Sequence, residues 1–131
     1  MKTWLLAVAM VLVISAWPAF SQQKSNVPKY DLAQEVTVKG VVDEVVDRNC
    51  PVSGTLGAHL ILKVASGDTI EVHLAPTKFV KNYELVFAKG DQVEVVGSKV
   101  NFEGKDTIFA RQITRGTDSF VFRDDKGKPV W

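Results

Sequence analysis

The stretch AHLILKVASGDTIEVHLAP, residues 58–76, decides the fold. Two apolar-alternating runs flank Ser66-Gly67-Asp68, a pattern that predicts a β-hairpin. A three-residue loop there pairs Val64 with Ile70, Leu62 with Val72 and Leu60 with Leu74, so these apolar side chains share one face. A two-residue loop would set Leu60 against His73 and Leu62 against Glu71, mixing the faces. Side chains alternate with a period of two, so a one-residue slip moves the whole apolar set, and the first pairing is expected. Each fully buried Val, Leu or Ile contributes ~1.5–3 kcal/mol, enough to enforce that choice. Gly67 supplies the left-handed conformation such loops need. The opposite face then carries His59, Ile61, Lys63, Glu71 and His73 and is expected to point outward. On it Lys63 opposes Glu71, Ile61 opposes His73, and His59 lies diagonally from His73.

The flanks bound the domain. Residues 1–21 read as a signal peptide: Lys2 is the positive start, residues 4–17 are apolar, and Ala19-Phe20-Ser21 puts small residues where a signal peptidase cuts. The apolar run is too short for a comfortable membrane span, so cleavage after Ser21 and a periplasmic or secreted protein are expected. No cysteine follows the run to carry a lipid anchor. Residues 22–33 read as a flexible lead-in, residues 34–115 as one barrel, and residues 116–131 as an extension packing on it. The chain has 16 basic and 15 acidic residues, and loss of Lys2 leaves the remainder formally neutral. Neutrality disfavours a partner held through many phosphate contacts. The lone Cys50 excludes an intramolecular disulfide.

Going outward from the hairpin, EVTVKGVVDEVVD (residues 35–47) reads as a long strand whose alternation stumbles at Gly40, the mark of a bulge or bend serving two sides of a barrel. Residues 48–57, RNCPVSGTLG, read as a loop. Pro76 and Thr77 open a short helix over residues 77–83, with Phe79, Val80 and Tyr83 on its buried side. Strands follow over residues 92–100 and 106–114, and Phe120-Val121-Phe122-Arg123 reads as a last short strand. The fold class is all-β with one short helix.

This order of elements, carried by VTVKGVV, the LILKV…IEVHL hairpin and KGDQVEVVG, resembles the oligonucleotide/oligosaccharide-binding (OB) fold over residues 35–114. More narrowly, the chain is similar to small exported bacterial OB-fold proteins, whose tails resemble FVFRDDKGKPVW. The resemblance implies a five-stranded Greek-key barrel whose ligands meet the outer face of strands two and three and the adjoining loops. Taken together, the residues and the resemblance lead to the expectation of a monomeric binding module meeting a small polar ligand, a metal ion or an envelope protein. A barrel that only supports an envelope assembly is the rival.

Three chemistries are open to these residues. Cys50, His59 and His73 offer thiolate and imidazole, a set suited to zinc or copper. With Lys63 and Glu71 they are the candidate ligand-binding residues. The haem-chaperone relatives carry their histidine in a tail after the barrel, and no histidine follows His73 here. Single-stranded nucleic acid would engage Lys63, Lys78, Lys81, Arg111 and Arg115 with Phe79, Tyr83, Phe87, Phe102 or Phe109 as stacking platforms. Those aromatics read as core or packing residues. Catalysis is not expected: the chain has no nucleophile elbow and no glycine-rich phosphate loop, and Glu71 with His73 reads as a strand face. In the tail, Phe120, Phe122 and Trp131 are expected to pack on the barrel.

Overall fold

The computed structural model describes residues 27–82 and 87–131. The expected signal peptide, the start of the lead-in and Tyr83 lie outside the described residues. A 3₁₀ turn, Leu32–Gln34, leads into β1 (Glu35–Cys50). Then come β2 (Thr55–Val64), β3 (Thr69–Pro76), α1 (Thr77–Asn82), β4 (Gln92–Phe102), β5 (Lys105–Arg115) and β6 (Asp118–Val121).

The strands run in the order β3-β2-β1-β4-β5-β6, and a parallel pairing of β3 with β5 closes the ring. The all-β barrel with one short helix is therefore present. The sheet has six strands where five were expected, because the tail adds β6 beside residues 112–115 of β5. That last strand is Asp118–Val121, and Phe122 and Arg123 instead end it by donating to the Arg111 carbonyl.

One strand serves both sides of the barrel. β1 pairs with β4 through residues 35–41 and with β2 through residues 40–50. Gly40 sits where the two pairings overlap. A Cβ there would lie 2.6 Å from the Lys63 carbonyl oxygen and 2.7 Å from Leu62 Cγ, so only glycine lets the strands approach this closely. The bulge falls just beyond it, at Asp43, between the Val42 and Glu44 pairings.

The central hairpin keeps the expected faces but not the expected partners. Leu60, Leu62, Val72 and Leu74 are buried, and Val64 and Ile70 pack against the same core. However, Lys63 pairs with Thr69, Leu62 with Ile70, Ile61 with Glu71 and Leu60 with Val72. The connection between the strands is therefore residues 65–68, four residues. A two-residue shift leaves every side chain on its face, so the apolar pattern cannot distinguish the two registers. The turn decides: the Val64 N–H donates to the Asp68 carbonyl (2.9 Å), and the Gly67 N–H donates to that of Val64 (2.9 Å).

Val42, Val95, Ile108, Ala110, Ile113 and Phe122 complete the core. The helix caps it with Val80 and is held at its start by the Thr77 hydroxyl, which donates to Asp47 (2.8 Å). The tail packs as expected: Phe122 is fully buried, Phe120 lies edge-on to Phe87, and Trp131 lies against Phe79.

At the N-terminal side, Arg111 grips Glu35 through two hydrogen bonds (3.0 and 2.8 Å), and the Tyr30 hydroxyl donates to the same carboxylate (2.7 Å). Hydrogen bonds from Arg111 and then Tyr30 hold the Glu35 carboxyl below its ordinary 4.5. A depressed carboxyl stabilises the fold fully above its unfolded pKa and loses that contribution as pH falls through the folded value. Glu35→Gln is therefore expected to cost about 1 kcal/mol at neutral pH. Denaturant titrations at a series of pH values should show the gap between variant and wild type closing as pH drops below 4.5. A gap independent of pH would assign the loss to packing instead.

Candidate metal centre

β1 runs on to Cys50, which pairs with Thr55 across a tight turn at residues 51–54. The loop expected over residues 48–57 is thus mostly strand, and Cys50 is fixed at a strand end. Ladder geometry then brings the histidines together. β3 leaves Leu74 out of its pairing with β2, between Ala58↔Ala75 and His59↔His73. The bulge lies just beyond the histidine pair; the two-residue difference in hairpin register sets His59 directly opposite His73, where a diagonal relation was expected. Their rings stack with centroids 3.9 Å apart and planes at 17°.

The face that was expected to meet solvent is covered here. His59 is 4% and His73 7% exposed, and Cys50 is 5% exposed. Phe102, at the end of β4, meets the His73 ring edge-on at 5.5 Å, and Phe109 of β5 lies 5.4 Å away. Strand pairing places Phe109 beside His73. These residues form a second buried cluster outside the main apolar core.

Within it, the Cys50 Sγ lies 3.4 Å from His73 Nδ1. The ligand atoms of Cys50, His59 and His73 all fall within 4.8 Å of one another. Around a tetrahedral zinc ion, thiolate and imidazole donors would stand ~3.4–3.6 Å apart, given bonds of about 2.3 and 2.0–2.1 Å. His59 Nε2 is buried without a hydrogen-bond partner. Its other nitrogen, Nδ1, meets Glu71 Oε1 at 2.9 Å, and Arg48 Nε lies 3.6 Å from the same oxygen. Gly57 keeps the space open: a Cβ there would stand 3.0 Å from Cys50 Cβ and 3.2 Å from His59 Nε2. A cavity of about 220 Å³, bordered by Arg48, Asn49, Glu103 and Lys105, adjoins the three residues.

Burial alone would raise the Cys50 thiol. The neighbouring His59 and His73 imidazoles and the Ser53 and Val52 backbone N–H groups outweigh it and bring the thiol down to about 5. Burial pulls the His59 imidazolium down, and Cys50 and Glu71 more than restore it, so its pKa is raised. For Glu71, burial pushes upward, and His59 and Arg48 turn the balance downward. The site therefore favours the thiolate of Cys50 and the protonated form of His59, itself held by the Glu71 carboxylate.

The expected site residues divide cleanly. Cys50, His59, Glu71 and His73 converge. Lys63 does not: it is exposed opposite Thr69 and borders a separate cleft with Lys39 and Gln92. Glu71 faces Ile61 in the ladder and acts on His59, not Lys63. Of the nucleic-acid candidates, Lys63, Lys78 and Lys81 are exposed, and Arg111 and Arg115 are engaged with Glu35 and Asp91. The aromatics Phe87, Phe102 and Phe109 are buried, and Phe79 is half-buried against Trp131. Sequence reasoning missed Phe102 and Phe109 as walls of the site, and Gly57 as its spacer. The period-two pattern of β5, with Phe109 on the face opposite Ile108 and Ala110, was the available signal.

In metal-free protein, the ultraviolet absorbance of the Cys50 thiolate should titrate with a midpoint about 5. An ordinary thiol titrates near ~8.5. Glu71→Gln should move the midpoint upward, because it releases the His59 ring that faces the thiolate. A wild-type midpoint close to that of a free thiol would mean the pair does not form.

The model of the MamS/MamX magnetosome protein family matches residues 34–120, more than half of the chain and the whole of the Cys50, His59 and His73 cluster. No curated protein matches the chain.

Proposed function

The chain belongs to the MamS/MamX magnetosome protein family, and on that footing we propose that it is an exported, non-catalytic binding module that holds one transition-metal ion on Cys50, His59 and His73. The observation that carries this is the convergence of a buried thiol and two buried imidazoles, whose ligand atoms all lie within 4.8 Å of one another. One thiolate with two imidazoles selects borderline or soft ions such as Zn²⁺ and Cu⁺ over Mg²⁺ or Ca²⁺. The magnetosome setting named by the family comes to this chain as part of the same proposal.

The surrounding residues support the role. Glu71 orients His59 through Nδ1 and leaves Nε2 for the metal, the usual carboxylate–histidine arrangement behind a ligand. Phe102 and Phe109 keep the site dry and the metal–sulfur bond protected. Three protein donors leave a fourth position, toward the cavity bordered by Arg48 and Lys105. Binding would displace the proton held on His59, so affinity should rise with pH until that ring is neutral. The strand order, the helix after β3 and the parallel closure support an OB-type barrel. A ligand on strands two and three would then sit in the usual region of such a barrel, but beneath a cover.

Parallel imidazole planes cannot both point in-plane at one ion. Metal binding must therefore tilt the rings away from their 17° stack. Zinc titrations of the chelator-treated protein are expected to reach one equivalent and to shift the ring resonances of both histidines. Cobalt should add the charge-transfer absorption of a metal–thiolate bond. Cys50→Ser should abolish that band, and Glu71→Gln should weaken affinity ~10–100-fold. Failure of the wild-type protein to retain zinc, cobalt or Cu⁺ at one equivalent would overturn the proposal.

A further inference from the structure

A second site lies between the two ends of the described chain. It is a cleft of about 540 Å³ bordered by Lys29, Tyr30, Arg123, Lys126 and Lys128. Its remaining walls are apolar or glycine, and no carboxylate borders it. None of Cys50, His59 and His73 lines it, and every one of its cations falls outside residues 34–120. It is thus independent of the metal proposal and of the region shared with the family.

Arg123 is the unusual member. It is 7% exposed. Its Nη1 donates to the Gly127 carbonyl (2.9 Å), and its guanidinium lies between the rings of Tyr30 (5.2 Å) and Trp131 (5.1 Å). Its Nε is buried without a partner. No carboxylate among the described residues pairs with it, and burial pulls its pKa down. Asp124, adjacent in sequence, is committed elsewhere: its Oδ1 accepts from the Lys126 and Lys128 N–H groups, both at 2.9 Å. That turn also brings Lys126 and Lys128 to the cleft. A buried cation without a counter-charge is strongly unfavourable, and an anion in the cleft would supply what the chain does not.

We infer that this cleft binds a tetrahedral oxyanion of the phosphate type, with Arg123 at its base and Lys29, Lys126 and Lys128 around its rim. Arginine offers a planar fork of donors matched to phosphate oxygens, and the lysines add charge without fixed geometry. Four cations around one cleft favour a multiply charged oxyanion over a single carboxylate. The Tyr30 and Trp131 rings hold the guanidinium plane in place, so little order is lost when the anion arrives. The same chemistry is offered by free phosphate and by a phospholipid headgroup.

The test compares wild-type protein with a K29Q/K126Q/K128Q variant, whose substituted residues are all exposed. Titration with inorganic phosphate at constant ionic strength should raise the wild-type melting temperature saturably, beyond any effect of chloride. In the triple variant the phosphate Kd should weaken about tenfold or more, with near-ultraviolet circular dichroism unchanged. R123K keeps the charge but loses the fork and should also bind phosphate more weakly. A second arm uses phosphatidylcholine vesicles with and without phosphatidylglycerol. Co-sedimentation that needs phosphatidylglycerol and is lost in the triple variant assigns a headgroup, and phosphate binding without it assigns a free ligand. Absence of both responses in the wild type overturns the inference, as does equal phosphate affinity in the wild type and the triple variant.

Discussion

His59 faces His73 because the β2–β3 ladder runs unbroken from Lys63↔Thr69 to that pair and slips only beyond it, where Leu74 is left out, and the character of the site rests on this register. Bulges re-aim side chains at a fixed place in a sheet. Here the extra residue lets both Leu74 and Ala75 enter the apolar core while the two imidazoles remain opposite each other on the other face. With the histidines fixed by backbone hydrogen bonds, the thiol needs only one further constraint. The continuation of β1 to Cys50 provides it, because the same strand is anchored along its length by β4 and then β2. Three donors from three strands thus reach one point with no loop having to find it.

The polar cluster is tolerated because its charges are linked. Arg48 neighbours Glu71, Glu71 holds His59, and His59 lies beside the Cys50 thiolate. Opposite charges alternate along that series, so burial is offset step by step. Arg48 remains at the surface, which keeps one end of the series solvated. The main apolar core does not share this burden: it is formed by residues of the opposite hairpin face and by β4, β5 and Phe122. The apolar core and the polar cluster thereby occupy different faces of the same two strands.

Much of this was legible in the residues themselves. The hairpin, the strand bent at Gly40, the short helix and the shared face of the two histidines follow from period and spacing, whereas the approach of Cys50 to them does not. The register did not follow, since a shift by two residues preserves every face, and a backbone bond between Val64 and Asp68 made the choice. The burial of the histidines was hidden for another reason. Its cover comes from Phe102 and Phe109, distant in sequence and brought near only when β3 and β5 pair. A non-local contact of that kind leaves no trace in the alternation of residues 58–76. The isolation of Arg123 was equally invisible, because it depends on where Asp124 turns its carboxylate.

The pairing around β5 has a consequence for how the molecule meets its neighbours. One side of this strand is occupied by β4, and the other is divided between β3 at residues 107–109 and β6 at residues 112–115. The junction is filled at Arg111, whose carbonyl accepts from the Phe122 and Arg123 N–H groups. The tail therefore acts as a stopper for backbone groups that would otherwise recruit a strand from another molecule. A chain that has lost its tail to proteolysis would expose them and become a template for self-association. The last residues thus pair the backbone of β5 as well as adding Phe122 to the core.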